Sequence, residues 1–248
     1  MMSNIRSRPT GFATTFRLLL AVAAAWFGTG CGAGTPTSPG GPAVGGTSLG
    51  LVVAVAGEPR TLVPTASADP PGPAKHLFEI VHQSLVTYTA QGQPTPRVAA
   101  MLPSLDDGTW LVNGDGTMET VWHLRPGISW HDGYPLTPDD VVFGWRVFNS
   151  SAVPVVSRRA AQLIDRMEAV DATTLRIHWR AHYAFANQLT GYDLTLLPAH
   201  LLQTTFELRP ELVAGSPYWQ SSFVGLGPYR LAHWLAGSST ASLHRSPS

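Results

Sequence analysis

One serine has the spacing of a hydrolase nucleophile. Gly46-Thr47-Ser48-Leu49-Gly50 fits G-x-S-x-G, a pattern that needs a strand before the serine and a helix after it to expose the hydroxyl on a sharp turn. Here a Gly/Pro-rich stretch precedes it and the apolar run LVVAVA follows, so the elbow is not built. His76, Glu79 and His82 lie three residues apart, but positions i and i+6 of a helix point away from each other. His178 and His182 are four apart, with the first on a strand pattern. Neither set gives the convergent ligands of a zinc site. His131-Asp132 could be an acid–base pair, yet Asp132-Gly133 reads better as a turn ahead of a helix. Asp139-Asp140 reads as a helix start, because acidic groups favour the positive end of the helix dipole. Gly225-Leu226-Gly227 cannot cradle a phosphate, since Pro228 breaks the glycine fingerprint that opens a helix. Any of the tryptophans could stack on a ligand, but core packing is the more general role. No metal and no cofactor is expected.

The thiol is different. Cys31 is the only cysteine in 248 residues. Before it stand Arg6, Arg8 and Arg17, an uncharged apolar run over 18–27, and Gly28-Thr29-Gly30. A basic start, an apolar run too short to span a bilayer and small residues before a cleavage point make an export signal over 1–30. A lone cysteine just after such a signal resembles the acylated cysteine of a lipoprotein, which would anchor the chain to a membrane through Cys31. Gly28 stands where that pattern prefers Leu. Residues 31–50 carry no charge and are rich in Gly and Pro; they read as a flexible tether spanning roughly 25 Å.

The formal net charge is zero, with 16 basic and 16 acidic residues. No basic patch points to nucleic acid. Removing 1–30 would leave 13 basic and 16 acidic residues, a mild charge that favours solubility.

The elements that must position these groups are legible in turn. Residues 51–56 (LVVAVA) form a continuous apolar run, as in a buried strand. Residues 75–84 have helical spacing and 85–89 form a short strand. Asn113-Gly114-Asp115-Gly116 marks a hairpin turn, followed by alternation through Met118, Thr120, Trp122 and Leu124. Thr137-Pro138-Asp139-Asp140 opens a helix, with Thr137 placed to cap it; Val141, Trp145 and Phe148 then recur at i, i+4 and i+7. A second helix is expected over 156–165, and a strand over 174–179 with Leu175, Ile177 and Trp179 on one face.

Several stretches, in order, resemble one family. Residues 124–143 (LRPGISWHDGYPLTPDDVVF) are similar to "LRpGvkfhDGxPLTaeDVvf". Residues 61–64 (TLVP) resemble "tLdP", with Val63 in place of Asp; 168–177 resemble "veavDdyTvrir"; 197–202 (LPAHLL) resemble "lPkHll"; and 224–231 (VGLGPYRL) resemble "vGtGPYkl". These are signatures of the family 5 solute-binding proteins, extracytoplasmic receptors of ABC importers for oligopeptides, dipeptides, nickel chelates and related solutes. The resemblance implies an α/β fold, a type II periplasmic-binding lobe with a mixed sheet and a small inserted α+β domain. The first lobe would cover about 51–88 and 186–248, the insert about 89–185, and the second lobe would be missing. It implies a periplasmic or cell-surface receptor that takes up peptides or similar solutes, works with ABC permease subunits and catalyses nothing. By the same resemblance, Gln83, Ser84 and Leu85 and the loop Gly225, Leu226 and Gly227 border the cleft, with Leu226 replacing the usual Thr. The remaining alternatives are a truncated lipoprotein acting as a scaffold or interaction module, or a non-functional gene fragment.

Overall fold

The computed structural model describes residues 52–54, 57–62, 72–155 and 157–246. Contacts divide the chain after Leu51, and every described residue lies in the second unit, Val52–Ser248. The export signal, Cys31, the tether and Ser48 fall outside the described residues.

Helix α1 spans Gly72–Val81. It starts earlier and stops earlier than the pattern over 75–84 implies. The stop has a tertiary cause: the Val81 carbonyl accepts the Gly227 amide at 3.0 Å, so this carbonyl is satisfied by a distant loop instead of by a further turn. Strands β1 (Val86–Tyr88) and β2 (Pro94–Pro96) then form an antiparallel hairpin.

The hairpin around Asn113 forms as its turn residues require. β3 (Trp110–Val112) and β4 (Met118–His123) pair antiparallel, and Gly116 has φ +89°, a conformation nearly free to glycine alone. β6 (Thr174–Trp179) pairs with β4 in full register, and β5 (Ile164–Ala169) pairs with β6, giving the order β3-β4-β6-β5. Met118, Thr120 and Trp122 face Trp179, Ile177 and Leu175 across the ladder, and all six are buried. Thr120 is the one polar member of this layer; its hydroxyl accepts the Trp179 and Trp122 indole N–H groups at 3.0 and 3.3 Å. Buried polar groups are tolerated when paired in this way.

The helix expected over 156–165 is mostly absent. Only Arg159–Leu163 (α3) is helical, and Ile164 opens β5 instead. Pairing with β6 carries Ile164 and Met167 into the core, a gain that outweighs the weak helical preference of five residues. The run at 51–56 also departs from expectation. Its described part, 52–54, is in no strand, and Val52 and Val53 are 91% and 56% exposed. No described strand pairs with it, and an apolar run is buried only where neighbours cover it.

Helix α2 (Pro138–Asn149) links two cores. Val141 packs with the four-stranded sheet, while Phe143 and Val147 join Leu77, Val81, Leu197, Leu202 and Trp219. Gly144 lets α2 approach the backbone at Thr195; a Cβ there would lie 2.2 Å from the Thr195 carbonyl oxygen. α4 (Ala199–Leu208) packs on α2, two single 3₁₀ turns follow at Pro210–Leu212 and Pro217–Trp219, and β7 (Tyr229–Trp234) with β8 (Ala241–Arg245) ends the described chain as a further hairpin. All described ladders are antiparallel; the parallel pairing that a mixed sheet requires is not among them. No helix among the described residues is long and apolar enough to cross a membrane.

Candidate functional site

Three segments far apart in sequence meet at the end of α1. They are the turn at His82–Leu85, the segment 130–140 ahead of α2, and the loop Gly225–Gly227. His131 joins the second to the third. Its amide donates to the Gly225 carbonyl at 3.0 Å, its Nδ1 accepts the Gly225 amide at 3.2 Å, and its Nε2 lies 2.9 Å from the Gly227 carbonyl. An acceptor at Nδ1 and a carbonyl at Nε2 define the tautomer: the ring is neutral and the proton sits on Nε2. Burial holds the His131 pKa below its ordinary value, although the Gly227 carbonyl pulls the other way. Protonating Nδ1 would set two donors against each other.

His82 sits beneath this junction. It is 3% exposed, and neither ring nitrogen makes a well-formed hydrogen bond among the described residues, although the Leu196 backbone lies close enough to pull its pKa slightly upward. Its neighbours are rings: Phe78 at 4.8 Å, Phe223 at 5.8 Å and Trp130, stacked, at 5.9 Å. Burial, with His131 nearby, lowers its pKa to about 3.

Trp130 leads to a buried carboxylate. Asp140 accepts the Trp130 indole N–H at 3.1 Å, the Thr137 amide at 3.1 Å and the Ala199 amide at 2.9 Å. The Thr137 contact is the acidic half of a capping box. The Ala199 contact ties the start of α2 to the start of α4. Burial pushes the Asp140 carboxyl up from its ordinary value against the pull of these three donors. The sequence marks Asp140 only as a helix-start residue; its link to Ala199, 59 positions away, has no local signal. Asp140→Ala leaves three donors without their acceptor and is expected to cost about 2–3 kcal/mol, read as a lower urea midpoint at an unchanged slope.

A second pair was also hidden from the sequence. His200 Nε2 lies 2.8 Å from Asp132 Oδ2, and Tyr134 stacks on the His200 ring at 4.1 Å. An acid–base pair of this kind does covalent chemistry only with a nucleophile on the other nitrogen. His200 Nδ1 is buried with no hydrogen-bond partner among the described residues. The histidines weighed as metal ligands have other settings. His178 lies between Glu119 at 3.1 Å and Glu168 at 3.5 Å, and no group of three His, Cys, Asp or Glu among the described residues could hold a metal ion.

The six residues expected to border a cleft fall into two adjoining groups. Gln83 and Ser84 are half-buried, and the Gln83 side chain makes no hydrogen bond among the described residues. The Ser84 carbonyl accepts the Val98 amide at 3.2 Å, and its hydroxyl packs on Gly191, where a Cβ would lie 2.8 Å away. Leu85 is fully buried, and its carbonyl takes the Arg97 and Ala99 amides at 2.9 and 3.3 Å. Gly225, Leu226 and Gly227 are buried, the Leu226 side chain within the sheet core. The amides of Gly225 and Gly227 are engaged within the chain, by His131 and Val81.

Residues 100–248 match the sequence model of the bacterial extracellular solute-binding proteins, family 5 (middle region). The chain belongs to this family. Among curated relatives it is 30% identical over 117 residues to the probable deoxycholate-binding periplasmic protein YgiS of Escherichia coli K12, covering 46% of this chain and 20% of that protein. It is 28% identical over 195 residues to Protein XP55 of Streptomyces lividans, covering 78% and 32%. The chain therefore spans a third or less of either relative. Among solved structures, it superposes on the oligopeptide-binding protein of Thermus thermophilus, complexed with a pentapeptide, with TM-score 0.65 at 19% identity, covering 79% of this chain and 37% of that one. NikZ of Campylobacter jejuni, in complex with Ni(L-His), gives 0.54 at 22%, covering 73% and 32%. The fold is that of one lobe of a type II periplasmic binding protein, carried by part of those longer chains.

Proposed function

We propose that this chain is the solute-capturing component of an ABC importer, acting on peptides or similar small solutes outside the cytoplasmic membrane. The family match over residues 100–248 carries the reading. It is supported by the peptide complexes among proteins of the same fold, from Thermus thermophilus and, with the peptide RPPGFSPFR, from Haemophilus influenzae. In this reading the chain performs no covalent step, Cys31 carries a lipid that holds it at a membrane, and permease subunits receive the solute. The first lobe is built from about 51–88 and 186–248, with about 89–185 as the insert.

Gln83, Ser84, Leu85, Gly225, Leu226 and Gly227 border the solute. Their roles divide by what each has free. Gln83 offers an uncommitted amide that can pair with a peptide backbone without regard to side chains. Leu85 and the Gly225–Gly227 loop shape the wall from behind. Receptors of this architecture close by hinge motion of two lobes on the ligand, so contacts from one lobe supply only part of the affinity.

The test is titration calorimetry of the native protein with a pool of tri- to pentapeptides. An immunoblot against residues 51–248 first establishes whether the native species runs near 26.5 kDa or above it. Saturable binding that weakens about three- to tenfold in Gln83→Ala is expected, the worth of one hydrogen bond. Absence of binding at millimolar peptide would end the peptide reading; equal affinity of Gln83→Ala would remove Gln83 from the site.

A further inference from the structure

Away from the α1 junction, the start of α3 and the segment after β6 flank an open groove of about 760 Å³. That is the size of a small-molecule site. Its walls include Arg158, Arg159, Gln162, His182, Tyr183 and Phe185, and no carboxylate. The concentration of cations is local, since the whole chain has equal numbers of acidic and basic residues.

The lining of the groove is held in shape by contacts within it and to the fold around it. Arg158 donates to the carbonyls of Phe148, Ser150 and Val153, fastening the loop after α2. The Arg180 amide donates to the Leu163 carbonyl at 2.8 Å. Tyr183 packs on Trp179 with ring centroids 5.3 Å apart, and Phe185 meets Tyr183 edge-on at 5.9 Å. Asp165 pairs with Arg180 at 3.0 Å, and Asp193, whose charge is felt at Tyr183, takes the Thr190 hydroxyl at 2.8 Å.

Two features of this groove ask for a ligand. Arg159 is exposed and its guanidinium makes no ion pair or hydrogen bond among the described residues, yet its charge reaches the Tyr183 phenol. Phe185 is 52% exposed beside it. A free guanidinium fork matches the geometry of a carboxylate or phosphate, and an exposed aromatic face matches a flat apolar body.

We propose that this groove is a second binding site, for small oxyanions carried on an aromatic ring. Arg159 takes the oxyanion, Arg158 adds positive field, and Phe185 with Tyr183 covers the ring. It shares no residue with the solute-bordering set, so it can be occupied while that set is free.

Calorimetry of the full chain with phenyl phosphate tests this. Saturable binding is expected below about 10 mM. Inorganic phosphate and benzyl alcohol, each lacking one half of the ligand, should bind at least about tenfold more weakly. Arg159→Gln should weaken phenyl phosphate by about tenfold or more, as for loss of a charged hydrogen bond, and Phe185→Ala by about threefold or more. Arg245→Gln removes an exposed charge elsewhere and should change nothing. Both groove residues are exposed, so thermal midpoints should match the parent; if Arg159→Gln folds poorly, Phe185→Ala and the two control ligands decide. Lack of saturation, equal binding of benzyl alcohol, unchanged affinity in the groove variants, or an equal loss in Arg245→Gln would each overturn the proposal.

Discussion

Acidification from pH 7 toward pH 3 should unfold this protein, with His82 as the main cause. An imidazole in an unfolded chain titrates near 6.5, whereas burial among Phe78, Trp130 and Phe223 lowers the folded value to about 3. Between those values the unfolded state binds a proton that the folded state refuses. Stability therefore falls as pH drops through the window, by about 1.4 kcal/mol per pH unit, and levels off below pH 3. The full effect, about 5 kcal/mol, is comparable to the whole stability of a small domain. His131 adds to it with the same sign, since its pKa is also lowered and its protonation would break the acceptor contact at Gly225. Urea midpoints measured from pH 7 to pH 4 should fall steeply in the parent and much less in His82→Leu, which keeps an apolar side chain of similar size and carries no proton. A variant with the parent's pH slope would show that His82 is not the acid-sensitive group.

Gly227→Ala should strongly destabilise the protein. A Cβ on Gly227 would lie 2.4 Å from the Val81 carbonyl carbon, 2.5 Å from the Ile80 oxygen and 2.6 Å from the His82 nitrogen; one on Gly225 would lie 2.0 Å from the Val81 oxygen. All of these are backbone atoms at the end of α1, so no rotamer change relieves the clash. Either the Gly227–Val81 hydrogen bond opens or the helix end shifts, at a cost of about 3 kcal/mol or more. Gly114→Ala is the control. It has open space on all sides and no positive φ, and should stay within about 0.5 kcal/mol of the parent. On the proposed role in peptide capture, the same contact seats Gln83–Leu85 beside the Gly225–Gly227 loop, and Gly227→Ala should then also weaken peptide binding at pH 7 in whatever fraction remains folded. Parent-like stability in Gly227→Ala would mean that loop and helix end are not locked together.

The buried histidine and the glycine lock both depend on distant contacts, unlike much of the fold around them. Where a feature is written in neighbouring residues, the chain alone reveals it. The turn at Asn113–Gly116, the strand over 174–179 and the start of α2 at Pro138 all appear where their residues place them. Turn residues need particular backbone angles, strands alternate in polarity, and caps act within one helical turn, so each signal reaches only a few residues. The ordered signatures from 61 to 231 extend that reach to the family, because several short patterns in sequence order specify a fold that no single one does.

Where pairing partners are distant, the local signal misleads or is silent. Residues 164–169 have a composition that tolerates helix, and only the β6 edge makes them β5. Residues 52–54 are apolar enough for a strand, yet no described strand receives them. Asp140 reads as a helix start and proves to be the acceptor that joins α2 to α4 and Trp130. Asp132 and His200 meet across 68 positions, and His131 meets Gly225 and Gly227 across 94 and 96. By itself, then, the sequence determined the family and the elements with strong local signals. Tertiary structure alone decided which histidine is buried among aromatic rings, which glycines admit no Cβ and where the cationic groove opens. Those properties depend on which distant atoms share the same few cubic ångströms, and no window of consecutive residues encodes that.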